Sequence, residues 1–234
     1  MQMRWSYFVL VLFLLNSTFV LAEIKLDPLP SNTLNLGDQV IISGVIDVTT
    51  NKRAYMDLEL VCTTSSTRLF VKLFDLRKGL QATFSRLVVI PSVPSGDCKI
   101  VATLNDGTAA IEKAETEPFT ITTKLNGAFD VVGAVYQLGD TINLRGAITK
   151  NNGEPLNGVA LLYFKKDKST VLIESAKVTD GDLQLDKKLD LMPTGNYVVS
   201  IEVSDSQGNR HVFEEVVTFE LVGNLNLDVK PDKI

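Results

Sequence analysis

Short runs in which hydrophobic and polar residues alternate fill most of the chain. Ile142, Leu144 and Ile148, for example, alternate with Thr141 and Asn143. A period of two places one face of a strand in a core and the other face in solvent. No segment shows the 3.6-residue period of an amphipathic helix. The pattern therefore predicts an all-β fold.

The alternating pattern occurs twice, and two short motifs set its period. Leu36-Gly37-Asp38 recurs as Leu138-Gly139-Asp140 at an offset of 102 residues, and Pro94-Ser95-Gly96-Asp97 recurs as Pro193-Thr194-Gly195-Asn196 at an offset of 99 residues. A repeat is one structural unit, so the strands found in one copy should be present in the other. The sequence predicts a tandem duplication.

Two strands of each copy have a clear inward face. The residues predicted to point inward are Val40, Ile42, Ile46, Cys98, Ile100, Ala102 and Leu104 in the first copy, and Ile142, Leu144, Ile148, Tyr197, Val199, Ile201 and Val203 in the second. The residues predicted on the solvent face of the last of these strands are Ser200, Glu202 and Ser204. About seven short strands in about 100 residues indicate an antiparallel sandwich in each copy.

The first 22 residues have the form of an export signal. Arg4 precedes the apolar run Tyr7 to Leu15, and Val20-Leu21-Ala22 supplies the small residues of a cleavage site before Glu23. A membrane anchor is the alternative, but a spanning helix needs about 20 consecutive apolar residues and this run is too short. The sequence predicts an exported protein with no transmembrane segment in its mature chain.

This interpretation divides the chain into five parts. They are a signal peptide at 1–22, a first β-sandwich repeat at 23–123, a linker at 124–127, a second repeat at 128–222, and a tail at 223–234 that resembles the first strand of a further repeat. We call residues 23–123 the N-terminal half and residues 128–222 the C-terminal half.

The two cysteines, Cys62 and Cys98, both lie in the N-terminal half. In an exported chain an even pair within one domain is expected to form a disulfide. Closing a loop of this length would stabilise the fold by about 4 kcal/mol in the chain-entropy model. Two free buried thiols are the alternative. Phe164 and Tyr197 lie near the matching positions of the C-terminal half, where an aromatic contact would fill the same space.

Two segments of the C-terminal half resemble a known class of repeats. They are Tyr136 to Gly146, followed by Gly153-Glu154-Pro155-Leu156, and Pro193 to Tyr197. This pattern is similar to the immunoglobulin-like and macroglobulin-like repeats of prokaryotic, including archaeal, cell-surface proteins. The resemblance implies two tandem antiparallel immunoglobulin-like β-sandwiches that act as spacers, adhesive stalks or envelope components. It supplies no catalytic residues, and a sandwich fold by itself does not fix function.

Few residues suggest catalysis or metal binding. The only histidine, His211, follows a turn, and no nucleophile motif accompanies it. One histidine and two paired cysteines do not make a zinc site. Oxygen ligands for calcium cluster near Asp180, Asp182 and Asp205, but tight turns require the same residue types, so we expect turns there.

The expected function follows from these exclusions. With a formal net charge of −5 and no basic cluster, nucleic-acid binding is not expected. We expect a non-enzymatic structural or adhesive module, extracellular or on the cell surface, whose partners are other surface proteins or envelope components. The sequence predicts no cofactor, no metal and no catalytic residue. An extracellular module that binds protein or carbohydrate is the alternative, and a secreted hydrolase is the third.

Overall fold

A computed structural model describes residues 22–131 and 133–223. The predicted signal peptide and tail lie outside these residues except for Ala22, which begins the first strand, and Gly223. The described chain is all-β, as predicted. Within these two ranges no helix is long and apolar enough to span a membrane.

Nine of the described strands precede residue 124. They are β1 (Ala22–Leu26), β2 (Thr33–Asn35), β3 (Gln39–Val48), β4 (Lys52–Cys62), β5 (Ser66–Leu76), β6 (Ala82–Val89), β7 (Gly96–Asn105), β8 (Ala110–Glu115) and β9 (Phe119–Thr122).

Eight more strands follow in the described part of the chain, up to residue 223. They are β10 (Asn126–Val131), β11 (Val135–Gln137), β12 (Thr141–Thr149), β13 (Gly158–Lys166), β14 (Ser169–Thr179), β15 (Asp182–Lys188), β16 (Gly195–Asp205) and β17 (Arg210–Val222). Asn126 and Gly127, which the sequence analysis placed in a linker, are the first residues of β10.

The strands before residue 124 form two sheets. One has the order β1-β3-β6, and the other has the order β2-β9-β7-β4-β5, with β8 also paired to β7. The later strands form a single curled sheet of order β10-β12-β15-β14-β13-β16-β17-β11. Two residue pairs, Val178 with Leu183 and Thr179 with Asp182, connect β14 to β15 in that sheet. Divided between β14 and β15, the curled sheet gives the parts β10-β12-β15 and β14-β13-β16-β17-β11. These two parts have the same strand orders as the two earlier sheets.

Two strand pairs depart from the expected antiparallel arrangement. β2 pairs with β9 and β11 pairs with β17, and both pairs are parallel. Parallel neighbours need a long connection between them, and these partners are the second and the last strand of their halves. A hairpin cannot form a parallel pair. The short strands β2 and β11 therefore lie at sheet edges beside strands that come much later in the chain.

Buried faces follow the hydrophobic pattern. Every residue predicted to point inward is buried, and Ile46, Ile142 and Val203 are fully shielded from solvent. Ser200 is the exception on the predicted solvent face, because only 1% of it is exposed. A β-bulge in β17 shifts the register between Val199 and Ile201 of β16, and a bulge re-aims the side chains near it.

By its internal contacts the chain divides into two compact units. The first contains residues 22–30, 40–88 and 98–118, and it includes the disulfide between Cys62 and Cys98 that the sequence predicted. The second contains residues 31–39, 89–97 and 119–223. The second unit therefore combines two early segments of the chain with the whole C-terminal half.

Candidate functional site

Among the described residues, four polar side chains are buried: Asn35, Asp38, Ser200 and Asn209. Burying a polar group costs free energy unless it forms hydrogen bonds. Each of the four does form them, and the partners show what the group is used for. Asn35, Asp38 and Asn209, together with Lys150, form a cluster within the second compact unit that we call the polar junction.

A tight turn after β2 positions the first part of the polar junction. The N–H of Asn35 donates to Asp38 Oδ2 at 2.8 Å, and the N–H of Asp38 donates to the Asn35 carbonyl at 3.2 Å. Gly37 lies between them with φ of +79°, a conformation that favours glycine. The sequence Asn-Leu-Gly-Asp thus closes the turn and holds two polar side chains on one side of it.

The Asn35 side chain connects three separate segments. Its Nδ2 donates to the Lys124 carbonyl at 2.8 Å and to Asn209 Oδ1 at 3.2 Å. Its Oδ1 accepts the N–H of Asn151 at 2.9 Å. An amide has both donors and an acceptor, so one buried side chain can satisfy all three segments at once.

Asn209 makes the reciprocal contacts. Its Nδ2 donates to the Leu36 carbonyl at 2.9 Å, and its Oδ1 accepts the N–H of Leu36 at 3.2 Å. The turn that carries it is held by Asp205, whose Oδ1 accepts the N–H groups of Gln207, Gly208 and Asn209 at 2.9 Å each. The amide of Asn209 therefore pairs with the backbone of Leu36 as a neighbouring strand would.

An ion pair completes the polar junction. Lys150 Nζ lies 2.9 Å from Asp38 Oδ1, and the two side chains are 12% and 1% exposed. Burial opposes the charge of Lys150, but the hydrogen bond to Asp38 and the charges of Asp38 and Glu154 outweigh it, so the pKa of Lys150 is raised. A lysine held as an ammonium does not act as a base. The pair is suited to holding the turn in place.

The fourth buried polar group, Ser200, lies in β16 opposite the bulge in β17. Its Oγ donates to Glu214 Oε2 at 2.6 Å and accepts from Lys165 Nζ at 3.0 Å. The hydrogen bond from Ser200, and then that from Lys165, lowers the pKa of Glu214. A serine beside a lysine is a known nucleophile arrangement, but this hydroxyl is 1% exposed and is already bonded to a carboxylate. The Ser200 hydroxyl therefore serves the structure of the bulge, where Glu215 of β17 has a φ of +51°.

His211, the histidine considered for catalysis, has a packing role. Its ring lies edge-on against Phe213 with centroids 4.6 Å apart, and its backbone pairs with Val203 across β16 and β17.

The candidate calcium ligands also serve local structure. Asp205 uses both carboxylate oxygens within its own turn, since Oδ2 accepts Asn209 Nδ2 at 2.7 Å. The N–H of Asp180 donates to Asn157 Oδ1 at 2.9 Å, and Asp182 is the first residue of β15. Within 22–131 and 133–223, no group of three or more histidine, cysteine or acidic residues is arranged to hold a metal ion.

One pair of carboxylates bears on the hydrolase alternative. Glu23 and Asp47 are directly opposed on β1 and β3, and they line a surface depression. Two facing carboxylates are the minimum for glycoside hydrolysis. The Glu23 side chain, however, is 56% exposed and is ion-paired with Lys25 at 3.1 Å. The pair has the solvation of a sheet surface and not of an enclosed cleft.

The C-terminal half has an open apolar face. Val159, Ile173 and Val212 are 49%, 54% and 40% exposed on the outer side of β13, β14 and β17. Tyr163 lies among them and donates its hydroxyl to Glu202 Oε2 at 3.1 Å. Burial, and then the bond to Glu202, raises the pKa of Tyr163. Exposed apolar side chains on one face make it a candidate contact surface.

Sequence reasoning did not find the polar junction. Leu36-Gly37-Asp38 was recognised only as a repeat marker, and Asn209 was not singled out. Asn35 and Asn209 are separated by 174 residues, so no local pattern could show that they meet. The one signal available was the asparagine immediately before a repeated turn.

Comparisons with known proteins give no family. No family model and no curated protein matches the chain. Among solved structures, it is similar to an alkylpurine DNA glycosylase of Pseudomonas fluorescens bound to DNA containing an abasic site analog, with 15% identity, 44% of this chain and 30% of that chain covered, and a TM-score of 0.32. It is also similar to a β-glucosidase of Listeria innocua in complex with gluconolactone, with 13% identity, 43% and 16% coverage, and a TM-score of 0.33. The chain spans under a third of either protein, and likenesses this low carry no argument about function.

Proposed function

We propose that the protein is a non-enzymatic structural or adhesive module of the cell surface or extracellular space, built from two tandem immunoglobulin-like β-sandwiches. Its partners under this proposal are other surface proteins or envelope components. The module's role is to hold its loops and faces in fixed positions and present them to those partners.

The observation that carries this proposal is the use made of buried polar groups. Among the described residues, the four buried polar side chains bond to backbone groups, to each other or to charged side chains that they hold in place. A catalytic site instead needs polar groups that face a space where substrate can bind. Here the polar groups serve the architecture, as expected of a module whose rigidity is its function.

Strand order supports the two-sandwich part of the proposal. Each half has a short second strand parallel to its last strand, and the same order of neighbours follows across the sheets. The matching turns at Asp38 and Asp140 also share their hydrogen bonds, because each carboxylate accepts the N–H three residues earlier. Duplication of one sandwich accounts for both features.

Cell fractionation tests the compartment. Disulfides persist in oxidising compartments and are rare in the cytosol, and the Cys62–Cys98 bond supports export. We expect the full chain, expressed in its own host, to be recovered outside the cytoplasm, beginning at Glu23 and with no free thiol. A reduced cytosolic protein that begins at Met1 would contradict the proposal.

Substitution of Asn209 tests the architectural role of the polar junction. Asn209→Ala leaves the buried N–H and carbonyl of Leu36 without partners. We therefore expect the free energy of unfolding, measured in urea, to fall by about 3 kcal/mol. Asn196→Ala, at an exposed position of the same half, is the matched control and should change stability by less than about 0.5 kcal/mol. Equal effects would show that the polar junction does not hold the fold.

The alternative function, recognition of a ligand, has one supporting observation. The face around Tyr163 combines exposed aliphatic side chains with the ion pair of Glu202 and Arg210, which suits a protein partner better than the stacking of a sugar on aromatic rings. Replacing Val159 and Ile173 with serine should leave stability nearly unchanged and abolish binding to an envelope extract if this face carries the function. Undiminished binding would leave the structural module as the better description.

A further inference from the structure

Two matching turns of the protein have the same backbone but different surroundings. In the first, the N–H of Ile90 donates to the Asp38 carbonyl at 2.9 Å; in the second, the N–H of Leu189 donates to the Asp140 carbonyl at 2.8 Å. Their carboxylates accept the N–H groups of Asn35 and Gln137 at 2.8 and 2.7 Å. The sequence offsets of 102 and 99 residues thus match positions that are also equivalent in structure.

The first turn is covered. Leu36 is 4% exposed and Asp38 is 1% exposed. A side-chain carbon placed on Gly37 would come within 2.6 Å of Gln207 Cγ, which shows how closely the loop at 207 packs there. Ser92, on the adjoining segment, donates its hydroxyl to the Gln207 carbonyl at 2.9 Å. All of these residues belong to the second compact unit.

The second turn is open. Gln137 and Asp140 are exposed, and a side-chain carbon placed on Gly139 would meet nothing within 4 Å. The position that matches Ser92 is Leu191, which is 93% exposed, and Val135 nearby in the sequence is 59% exposed. A leucine left almost fully in solvent loses the stabilisation that burial of its side chain would give. We call Val135, Gln137 to Asp140 and Leu191 the open turn.

We propose that the open turn is the docking surface for a further domain of the same kind, seated as the loops at 150 and 205–209 are seated on the first turn. The partner would present a lysine to Asp140, as Lys150 is presented to Asp38 at 2.9 Å, and a buried asparagine to the Leu138 carbonyl. The Leu138 N–H already donates to the Val222 carbonyl at 3.0 Å. This inference rests on the proposed function, and it names the partner of one surface. Charge supports it, because Asp140 is an exposed carboxylate where the first turn binds an ammonium.

An extended chain tests the proposal. Residues 1–223 are joined directly to a second copy of residues 124–223. Thr122 and Val222 are the last paired residues of β9 and β17 in the two parallel pairs. The added copy therefore begins as far after Val222 as residue 124 lies after Thr122. Thr194→Ser in the added copy distinguishes its peptides by mass. Hydroxyl-radical footprinting then compares Leu191 of the original copy in the extended and unextended chains.

We expect labelling of the original Leu191 to fall about fivefold in the extended chain, because it passes from solvent into a contact. Leu80, which is 60% exposed in the first unit, should label equally in both chains. Asp140→Lys, a change at an exposed site, should restore labelling, as should Lys150→Ala in the added copy.

Equal labelling of Leu191 in the two chains, with the added copy folded by hydrogen exchange, would overturn the proposal. Protection that appears in the unextended chain only as its concentration rises would also overturn it and would assign the surface to a second molecule. Neither result bears on export or on the absence of catalysis, so failure here is distinguishable from failure of the proposed function.

Discussion

Cys98 on β7 and Tyr197 on β16 occupy matching positions, 99 residues apart in the sequence. Cys98 is bonded to Cys62, the residue directly opposite it on β4. Tyr197 is not covalently bonded and stacks on Phe219 of β17, with ring centroids 5.1 Å apart. In the N-terminal half, β7 is therefore bonded covalently to β4. In the C-terminal half its counterpart, β16, is held by aromatic packing to β17, the neighbour on its other side.

The difference shows how the two halves distribute stability. Phe219 also contacts Phe164 and Tyr136 edge-on, at 6.4 and 5.5 Å, so one ring links β11, β13 and β16 to β17. Such aromatic pairs contribute about 0.5–1.5 kcal/mol each beyond their buried area. The disulfide acts at one point and largely on the unfolded chain. The first arrangement should respond to redox conditions and the second to packing.

Removal of the disulfide should have the largest effect. Cys62→Ala with Cys98→Ala should lower the free energy of unfolding by about 4 kcal/mol, because the unfolded chain regains loop entropy. Hydrogen exchange should accelerate in β7 more than in β16. Dithiothreitol should produce the same change in the native protein and none in the variant, and equal acceleration of both strands would show that the disulfide supports both halves.

Removal of the central ring should have the next largest effect and the opposite location. Phe219→Ala deletes a side chain that is 3% exposed and should cost about 3 kcal/mol. Exchange should accelerate in β16 first, as measured by mass spectrometry of its peptides. Phe219→Leu, which keeps most of the volume, should cost less than half as much, and a cost independent of the replacement would argue against a packing role.

Loss of a single hydroxyl should have a smaller effect. The Tyr197 hydroxyl donates to the Pro193 carbonyl, and Tyr197→Phe removes that bond while it keeps the stacked ring. We expect a loss of about 1 kcal/mol in urea unfolding. A loss as large as that of Phe219→Ala would place the main role of Tyr197 in its hydrogen bond.

The pH dependence should show the smallest effect and should separate the halves at high pH. Burial, and then the charges of Asp140 and Asp167 respectively, raises the pKa values of Tyr136 and Tyr197. A raised folded pKa contributes stability below the unfolded value of about 10, and this stability is lost as the pH rises above it. Above about pH 10, β16 should therefore unfold at a lower urea concentration than β7. Tyr136→Phe should reduce the slope of stability against pH.

At low pH the N-terminal half has its own sensitive group. Hydrogen bonds from the Thr108 side chain, and then from the Ala109 and Thr108 backbone, lower the pKa of Asp106 to about 2. Its stabilising effect is present above the unfolded value of about 4 and is lost as the pH falls toward 2. Asp106→Asn should flatten this part of the stability curve, and an unchanged curve would show that the turn at 106 does not contribute.

The features that the sequence predicted correctly are those that depend on local sequence pattern and composition. Alternation identified the buried faces of β3, β7, β12 and β16, and the compartment rule identified the pair Cys62 and Cys98. It was wrong about Ser200, because the bulge that buries it depends on the backbone of β17 at Glu215. It missed the polar junction because Asn35 meets Asn209 only after the chain has folded. Side chains that serve long-range contacts have no local period.

The position of the disulfide has a consequence under tension. A force applied to the two ends of the chain passes from Cys62 to Cys98 through the sulfur atoms and bypasses the residues between them. Those cysteines are 36 positions apart, which corresponds to about 120 Å of extended chain. A stretched and unfolding molecule would therefore stop about 120 Å shorter when oxidised than when reduced, so the redox state of one bond sets the length that the N-terminal half can release.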